Sequence, residues 1–441
     1  MTVTTRLQLR RYAPLAFAIL LRLVPAGMSA QTPAVTLDDA IRLAQKAQPS
    51  VVQARGAARN AQAQVRSSTG AYLPNLNATT SGSRDYSERP TTNSSSGSVQ
   101  SGSTNNLSFG LNASVDLFTG FRRGADSRAA KATRTAADAS LTDAESQAAL
   151  TATQQFFDAL SAQQLVRVRE ASVTQAEEQL KLSIAKLHVG SATRSDSLRS
   201  LVNLGTAQLA LVSAQSSVAG TQATLGRTLG LDGRVAAVDD SAFYSFVLTV
   251  DTAELQQEAM AHSPAAQAAE ASAVAARAQV ASAKSTYWPT VALSGSTNWS
   301  GSNNTNPDYQ LFARRSIALG LSWPIFNRFQ REQTIVNRQS SADAADATAA
   351  DTRRQVQAAV TTQAADLEAA RVRIEISRTS VEAAAEDLRV VQERYRVGAA
   401  TILDVLTSQS ALAQAQVDAV TARFDYLKAK AQIEALIGRH L

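Results

Sequence analysis

Few residues in this chain are of types that do acid–base, nucleophilic or metal chemistry, and they are not gathered. The three histidines, His188, His262 and His440, lie far apart in sequence, and there is no cysteine. A thiolate nucleophile, a disulfide framework, a Cys-based metal site and a lipid-anchored cysteine are therefore all ruled out. No HExxH, P-loop or GxSxG pattern occurs. No catalytic residue, cofactor site or metal site is assigned, and the chain is not expected to be an enzyme.

The arrangement that does recur is a hydroxyl followed by a carboxylate three positions on. Thr193 precedes Asp196 and Thr401 precedes Asp404. Both pairs sit in segments that match at a constant offset of 208 residues, Leu187-His-Val-Gly190-Ser-Ala-Thr193-Arg-Ser-Asp196 and Tyr395-Arg-Val-Gly398-Ala-Ala-Thr401-Ile-Leu-Asp404. A threonine at a helix start can accept from the backbone N–H three residues on, while the acid there reaches back to the threonine N–H. Gly190 and Gly398 suit the left-handed residue that ends the preceding helix. Each segment reads as the tip of a helical hairpin.

Very long helices must carry these tips. From about Arg122 to His188, and from about Gln330 to Val397, there is no proline and no glycine except Gly124. Such stretches extend about 100 Å at 1.5 Å per residue. In the second, Leu367, Ala370, Ile374, Ser377, Val381, Ala384, Leu388, Val391 and Tyr395 step by three and four. That is a heptad seam. In the returning helix the expected seam is Ala413, Val417, Val420, Phe424, Leu427 and Ala431. Ala and Ser in these seams allow close approach, and Gln, Arg, Glu and Asp cover the opposite faces. The returning helices end at Leu229-Gly230 and Ile437-Gly438, again 208 residues apart.

Before each long helix comes a β-like stretch. Leu107, Phe109, Leu111, Ala113, Val115 and Leu117 alternate with polar or small residues, as do Ile317, Leu319, Leu321 and Trp323. Period-two alternation over about ten residues is what a barrel strand needs, one face to lipid and one to water. Weaker partner strands lie near Tyr72–Tyr86 and Trp288–Trp299. The polar stretches Thr91–Asn106 and Ser294–Pro307 read as flexible outer loops joining hairpins. The hairpins occupy about 72–117 and 288–323, and the helical hairpins about 122–229 and 330–437. Phe118, Phe121, Trp323, Phe326 and Phe329 gather where strand gives way to helix, which suits either an interfacial aromatic girdle or a packed corner.

Short helices complete the pattern. One opens at Thr36 and stops at Pro49, and another opens at Ala253 and stops at Pro264. Each is followed by a helix running toward a second proline 25 residues on, Pro74 or Pro289. The chain therefore divides into residues 1–30, a first repeat 31–235, a linker 236–252 and a second repeat 253–441. Residues 1–30 read as a signal peptide: Arg6, Arg10 and Arg11 precede the apolar run Ala13–Leu21, and small residues end at Ala30. Removing its four arginines lowers the formal charge from +6 to +2. That nearly balanced charge argues against nucleic-acid binding. No run approaches the roughly 18 apolar residues of a membrane-spanning helix. An exported chain with four amphipathic strands cannot leave sheet edges open in hydrocarbon, so it must oligomerise.

The repeat, the strand–helix order and the run Arg394-Tyr-Arg-Val-Gly398-Ala-Ala-Thr-Ile-Leu-Asp404-Val-Leu, with Arg423-Phe-Asp-Tyr-Leu-Lys and Leu436-Ile-Gly438, resemble the TolC family of outer-membrane efflux proteins. The resemblance covers nearly all of the mature chain. It implies a fold that is mainly α with a membrane β part. A homotrimer would give four strands per protomer to a twelve-stranded outer-membrane β-barrel, continued by a long antiparallel coiled-coil α-barrel across much of the periplasm. It implies partners as well: a periplasmic adaptor (membrane fusion protein) and an inner-membrane pump, in drug efflux or type I secretion.

The resemblance also implies a gate. An acidic ring constricts the family's closed duct near the periplasmic tip; Asp404 matches one ring position, and Asp196 is its counterpart in the first repeat. A second acid of that ring is Thr407 here, and a basic latch residue of the tip turn is Ala400. Tyr395 matches a tyrosine of the latch. Helix capping for Asp196 and Asp404, and a plain seam position for Tyr395, stay open as alternatives. The tips Val189, Gly190, Ser191 and Thr193, with Val397, Gly398, Ala399 and Thr401, are expected to dock an adaptor's helical hairpin, where backbones must approach closely. The rival reading is a periplasmic coiled-coil adaptor or structural protein, which would lack duplicated alternating strands.

Overall fold

The computed structural model describes residues 33–90, 99–244, 251–303, 311–439 and 441. The segment 1–30 read as a signal peptide, the start of the first polar stretch (91–98), the end of the second (304–307) and His440 lie outside them. The elements are β1 (Ala34–Val35), α1 (Leu37–Ala47), α2 (Pro49–Gly70), β2 (Asn75–Pro90), β3 (Val99–Phe118), α3 (Arg122–His188), α4 (Arg194–Leu229), β4 (Ala236–Ala237), α5 (Thr252–His262), α6 (Pro264–Lys284), β5 (Thr290–Asn303), β6 (Phe312–Ser322), α7 (Gln330–Arg396) and α8 (Ile402–Ile437). Pro49 and Pro264 each open a helix, where a missing N–H costs nothing. α3 and α7 are each 67 residues long, and α4 and α8 are each 36. β1 and β4 form a parallel pair, Ala34 with Ala236 and Val35 with Ala237, so the start of the stretch read as a linker pairs with the start of the first repeat.

The four longer strands form an antiparallel sheet in the order β2-β3-β5-β6. Its register sorts the side chains. Val115 stands opposite Leu293, which stands opposite Leu319, and Phe109 stands opposite Trp299 with ring centroids 5.5 Å apart. Leu76, Leu107, Leu111, Ile317 and Leu321 share that face. The other face carries Asn77, Thr79, Ser81, Ser108, Asn112, Ser114, Ser294, Ser296, Asn298 and Ser316. Hydroxyls meet across it, Ser81 with Ser108 and Ser296 with Ser316, both at 2.8 Å.

This register corrects the two loops. Val99–Asn106 and Ser294–Asn303 are strand and not outer loop. The Gly and Asn of both stretches are poor signals for a strand in a soluble sheet. They suit one whose second face meets water, because the ladder bonds come from the backbone whatever the side chain.

The helices stack as two hairpins. α3 packs on α4 and α7 on α8, and α8 also packs on α3. On α7 the residues Leu367, Ala370, Ser377, Leu388 and Tyr395 are buried, and Ile374, Val381, Ala384 and Val391 between them are half-buried. The seam expected for α8 is buried or half-buried along its length, with Phe424, Leu427 and Ala431 buried, but it is only one of two stripes. Ala413, Val417 and Val420 are only half-buried, whereas Val405, Ser408, Leu412, Ala415 and Ala422 are buried. The reason is that α8 lies between two helices and needs two stripes. Val405 and Leu412 share a cluster with Leu388 and Tyr395 of α7, while Phe424 meets Phe157 of α3 at 6.4 Å between ring centroids. Where both stripes are filled, Phe424, Tyr426, Leu427 and Ala429 are all buried. This main core also takes Phe156, Leu160, Leu225 and Ile433, each full burial contributing about 1.5–3 kcal/mol.

Candidate functional site

At each hairpin tip the backbone closes by the same two bonds. Ser191 N–H donates to the Lys186 carbonyl at 2.9 Å and Gly190 N–H to Leu187 at 3.0 Å. Ala399 donates to Arg394 at 2.7 Å and Gly398 to Tyr395 at 3.2 Å. Gly190 and Gly398 take φ of +73° and +83°, the left-handed region this closure requires. Val189 and Val397 are left exposed at the very ends. The next helix then starts on a reciprocal cap. Thr193 N–H donates to the Asp196 carboxylate at 2.9 Å, and Asp196 N–H returns to the threonine hydroxyl at 3.2 Å. Thr401 and Asp404 repeat this at 2.8 and 3.3 Å. The Thr401 backbone and hydroxyl donors, with the Arg394 charge behind them, hold the Asp404 carboxyl below its ordinary range. Asp404 is exposed.

The two tips meet inside the chain. Lys186 of α3 reaches across to the last turn of α7, where its ammonium donates to the carbonyls of Tyr395 and of Arg396, the latter at 3.2 Å. It also lies 4.2 Å from the centroid of the Tyr395 ring. Carbonyls at a helix C-terminus lack partners and carry partial negative charge, so a cation is well placed there. Leu182 of α3 packs on the cluster of Leu388, Tyr395, Ile402, Val405 and Leu412. Tyr395 is thus a buried seam residue, and burial, then the nearby Asp196 charge, pushes its phenol up. Asn203 of α4 donates to Gln409 of α8 at 3.2 Å. Several buried polar atoms here have no protein partner: the Gln179 and Gln409 amide nitrogens and the Ser200 and Tyr395 hydroxyl oxygens. An interface built this way is less favourable than an apolar one of the same shape.

The strand–helix junction is the second constellation. Phe118 and Phe121 stack edge-on at 5.4 Å, and Phe326 and Phe329 do the same at 5.4 Å. Phe121 also meets Trp288 at 5.6 Å. Phe121, Trp323, Phe326 and Phe329 are exposed, whereas Phe118 is half-buried, and the Trp323 indole N–H donates to the Tyr287 carbonyl at 3.2 Å. Sequence reasoning missed the clamp beneath them. Arg123 donates to the Asp116 carbonyl and lies 4.9 Å from the centre of the Tyr72 ring. Arg331 donates to the Pro324 carbonyl at 3.2 Å and lies 4.0 Å from the Tyr287 ring. The signal was available, since Arg123 with Asp116 and Arg331 with Pro324 obey the same offset of 208.

Below the sheet, α2 packs on α3, α3 on α6 and α6 on α7. All four line one open concavity of about 720 Å³, with Arg122, Arg123, Asp126 and Arg338 on its wall. A row of helices that lines one hollow with every member is curved, and the hollow is its inner side. Among the described residues no group of three or more His, Asp or Glu converges as a metal site would require. None of their helices is long and apolar enough to cross a membrane.

A family model described as outer membrane efflux protein matches residues 40–231 and 255–439, most of the chain. The chain belongs to the outer membrane efflux protein family. The outer membrane efflux protein BepC of Brucella suis biovar 1 is 25% identical over 339 residues, 75% of this chain and 72% of that protein. The pyoverdine export outer membrane protein OpmQ of Pseudomonas aeruginosa is 28% identical over 397 residues, 86% of this chain and 80% of its own length. The crystal structure of the outer membrane protein VceC from Vibrio cholerae superimposes with a TM-score of 0.75 at 19% identity, covering 92% of this chain and 96% of that one. The fold is therefore the mainly helical one of these outer-membrane channels, and the protein is an outer-membrane efflux channel with a large helical periplasmic part. Membership sets the periplasmic-adaptor reading aside.

Proposed function

We propose that this efflux protein is one third of a continuous export duct. The observation that carries the reading is the sheet: four strands with one apolar face, one hydroxyl-and-amide face, and outer edges on β2 and β6 that have no neighbour among the described residues. Open edges cannot stand in hydrocarbon. Three copies would close a twelve-stranded barrel with the Ser, Thr and Asn face inward. The curved rows α2-α3-α6-α7 and the hairpins α3-α4 and α7-α8 continue it as an α-barrel through the periplasm. The two repeats then act as near-equivalent staves of one tube, residues 31–235 and 253–441, after loss of the signal peptide 1–30. The aromatic groups at the junction form the inner girdle.

At the far end, Asp404 of three copies forms the gate ring while still capping its own helix. Asp196 caps only, and Tyr395 serves as a seam residue and not as a latch. The turns Val189–Ser191 and Val397–Ala399 dock the hairpin of a periplasmic adaptor, which joins the duct to an inner-membrane pump.

Topology is tested with single cysteines, since the chain has none of its own. Leu311→Cys, beside the outer end of β6, should react with a membrane-impermeant maleimide on whole cells. Ser191→Cys, at a hairpin tip, should react only after the outer membrane is permeabilised. Labelling of Ser191→Cys on intact cells would reverse the orientation and overturn the reading.

A further inference from the structure

The helix ends nearest the sheet differ in charge from the rest of the helical surface. Farther down α3 and α7, a cation typically follows three residues after an acid that it bridges: Lys181 after Glu178, Arg371 after Glu368, Arg389 after Glu386 and Arg396 after Glu393. Near the sheet this matching stops. α2 has no acid, and of its arginines only Arg55 bridges to one. From Arg122 to Arg134, α3 carries Arg122, Arg123, Arg128, Lys131 and Arg134 against Asp126 alone. Arg59, Arg66, Arg128 and Lys131 are exposed, and none bridges to an acid among the described residues.

These four cations share a side. On α3 the hollow is lined by Arg122, Asp126 and Thr133, and at about 3.6 residues per turn Arg128 and Lys131 fall opposite. On α2 it is lined by Gln64 and Ser67, and Arg59 and Arg66 turn away from it. α2 ends at Gly70 and α3 starts at Arg122, and the two pack together. Arg66 and Arg128 therefore stand about 6 and 9 Å below those helix ends, at about 1.5 Å per residue. The Arg128 side chain climbs back toward the sheet: its Nη1 lies 3.9 Å from where a Cβ on Gly124 would stand, a turn higher. Gly124 is the only glycine of α3. The second repeat lacks this patch. The offset of 208 puts Glu332 in the place of Gly124 and Val336 in that of Arg128. The offset of 215 between Pro49 and Pro264 puts Val274 in the place of Arg59 and Ala281 in that of Arg66. Val274 and Val336 are both exposed, so one repeat presents cations where the other presents apolar side chains.

We propose that Arg66 and Arg128, backed by Arg59 and Lys131, bind the phosphate of an anionic phospholipid in the leaflet that faces the periplasm. Three surfaces follow one another down the first repeat: the strand leucines Leu76 and Leu107, the junction rings of Phe121 and Trp288, and then the cations. All of these apolar side chains are exposed. A phospholipid presents the matching order of acyl chain, interface and phosphate. A guanidinium meets phosphate oxygens with two parallel hydrogen bonds, and unmatched cations near an anionic leaflet add long-range attraction. The inference rests on the duct reading, which turns the hollow inward and so turns this patch toward the membrane side.

The test reconstitutes the full-length protein in phosphatidylcholine vesicles with a trace of spin-labelled phosphatidylglycerol or spin-labelled phosphatidylcholine. Electron spin resonance reads the fraction of each probe immobilised on the protein. The proposal predicts that phosphatidylglycerol is held in preference and that added salt weakens the preference. The triple variant Arg66→Gln/Arg128→Gln/Lys131→Gln should lose it, and Arg338→Gln, on the hollow side, should keep it. A parent with no preference at low salt overturns the proposal, whether or not the triple variant assembles. So does an assembled triple variant that keeps the preference. Loss in Arg338→Gln instead would show that the hollow faces lipid, which overturns the orientation of the duct and this inference with it. Export lost in the triple variant with its lipid preference unchanged would assign the patch to an adaptor and overturn the proposal too.

Discussion

In the proposed duct Asp404 would add a gate duty to the capping bond it makes to Thr401. The Thr401 cap lowers its pKa, so the stability it lends α8 is present above the ordinary carboxylate value of about 3.9 and is lost as pH falls through the lower folded value. Three such groups around a narrow pore would push one another the opposite way. They would also focus a negative field, attracting multivalent cations. Single-channel recordings should therefore show cation selectivity and block by trivalent ions from the periplasmic side. Asp404→Asn keeps an acceptor for the cap, and Asp404→Ala does not. Both should lose the block equally, while the alanine variant alone should also lower the heat-dissociation temperature. Block retained in Asp404→Asn would move the gate elsewhere, with Asp196 the next residue to test. At Gly398 an added Cβ meets nothing within 4 Å, so the penalty for replacing it is the left-handed backbone, about 1–2 kcal/mol. Gly398→Leu should abolish export while leaving the assembled protein at parental levels; undiminished export would refute docking at this turn. The caps and glycines were legible because their partners lie within a few residues. Lys186 was not, because its partners lie some 209 residues away on another helix.

Elements were legible where one face alone is buried. The α7 seam and the alternation of β3 and β6 each repeat with a single period, and the helix ends carry their own stops. Legibility failed where two environments meet. α8 serves two neighbours, so a one-stripe reading found Phe424 and Leu427 but missed Leu412 and Ala415. β5 presents water on one face and carries small polar residues on much of the other, so its second half looked like a loop. The junction clamps give the element scale its own test. The Arg331 side chain is 12% exposed and lies closer to the Tyr287 ring, at 4.0 Å, than Arg123 does to Tyr72, at 4.9 Å. Cation–π contacts are worth about 0.5–2 kcal/mol, more when desolvated. Arg331→Ala should lower the temperature at which the assembly falls apart on a gel heating series, and by more than Arg123→Ala does. Parental behaviour in both variants would show that the strand–helix junction is held by the phenylalanine pairs instead.

For the whole molecule, the sheet and the helix row make one argument. Each is curved or amphipathic in a way that a single copy leaves unfinished: the sheet has outer edges, and α4 and α7 have uncovered apolar residues such as Leu201, Leu209 and Ile376. The fold class and its membrane strands could be read from sequence, since alternation and uninterrupted helix are local patterns. The proposed ring was not legible in this way, because its closing contacts would lie between chains. The most direct measurement is the mass of the folded particle extracted in mild detergent, by mass photometry. The account predicts a particle of three chains that gives single chains only after heating. A monodisperse, folded single chain would contradict it.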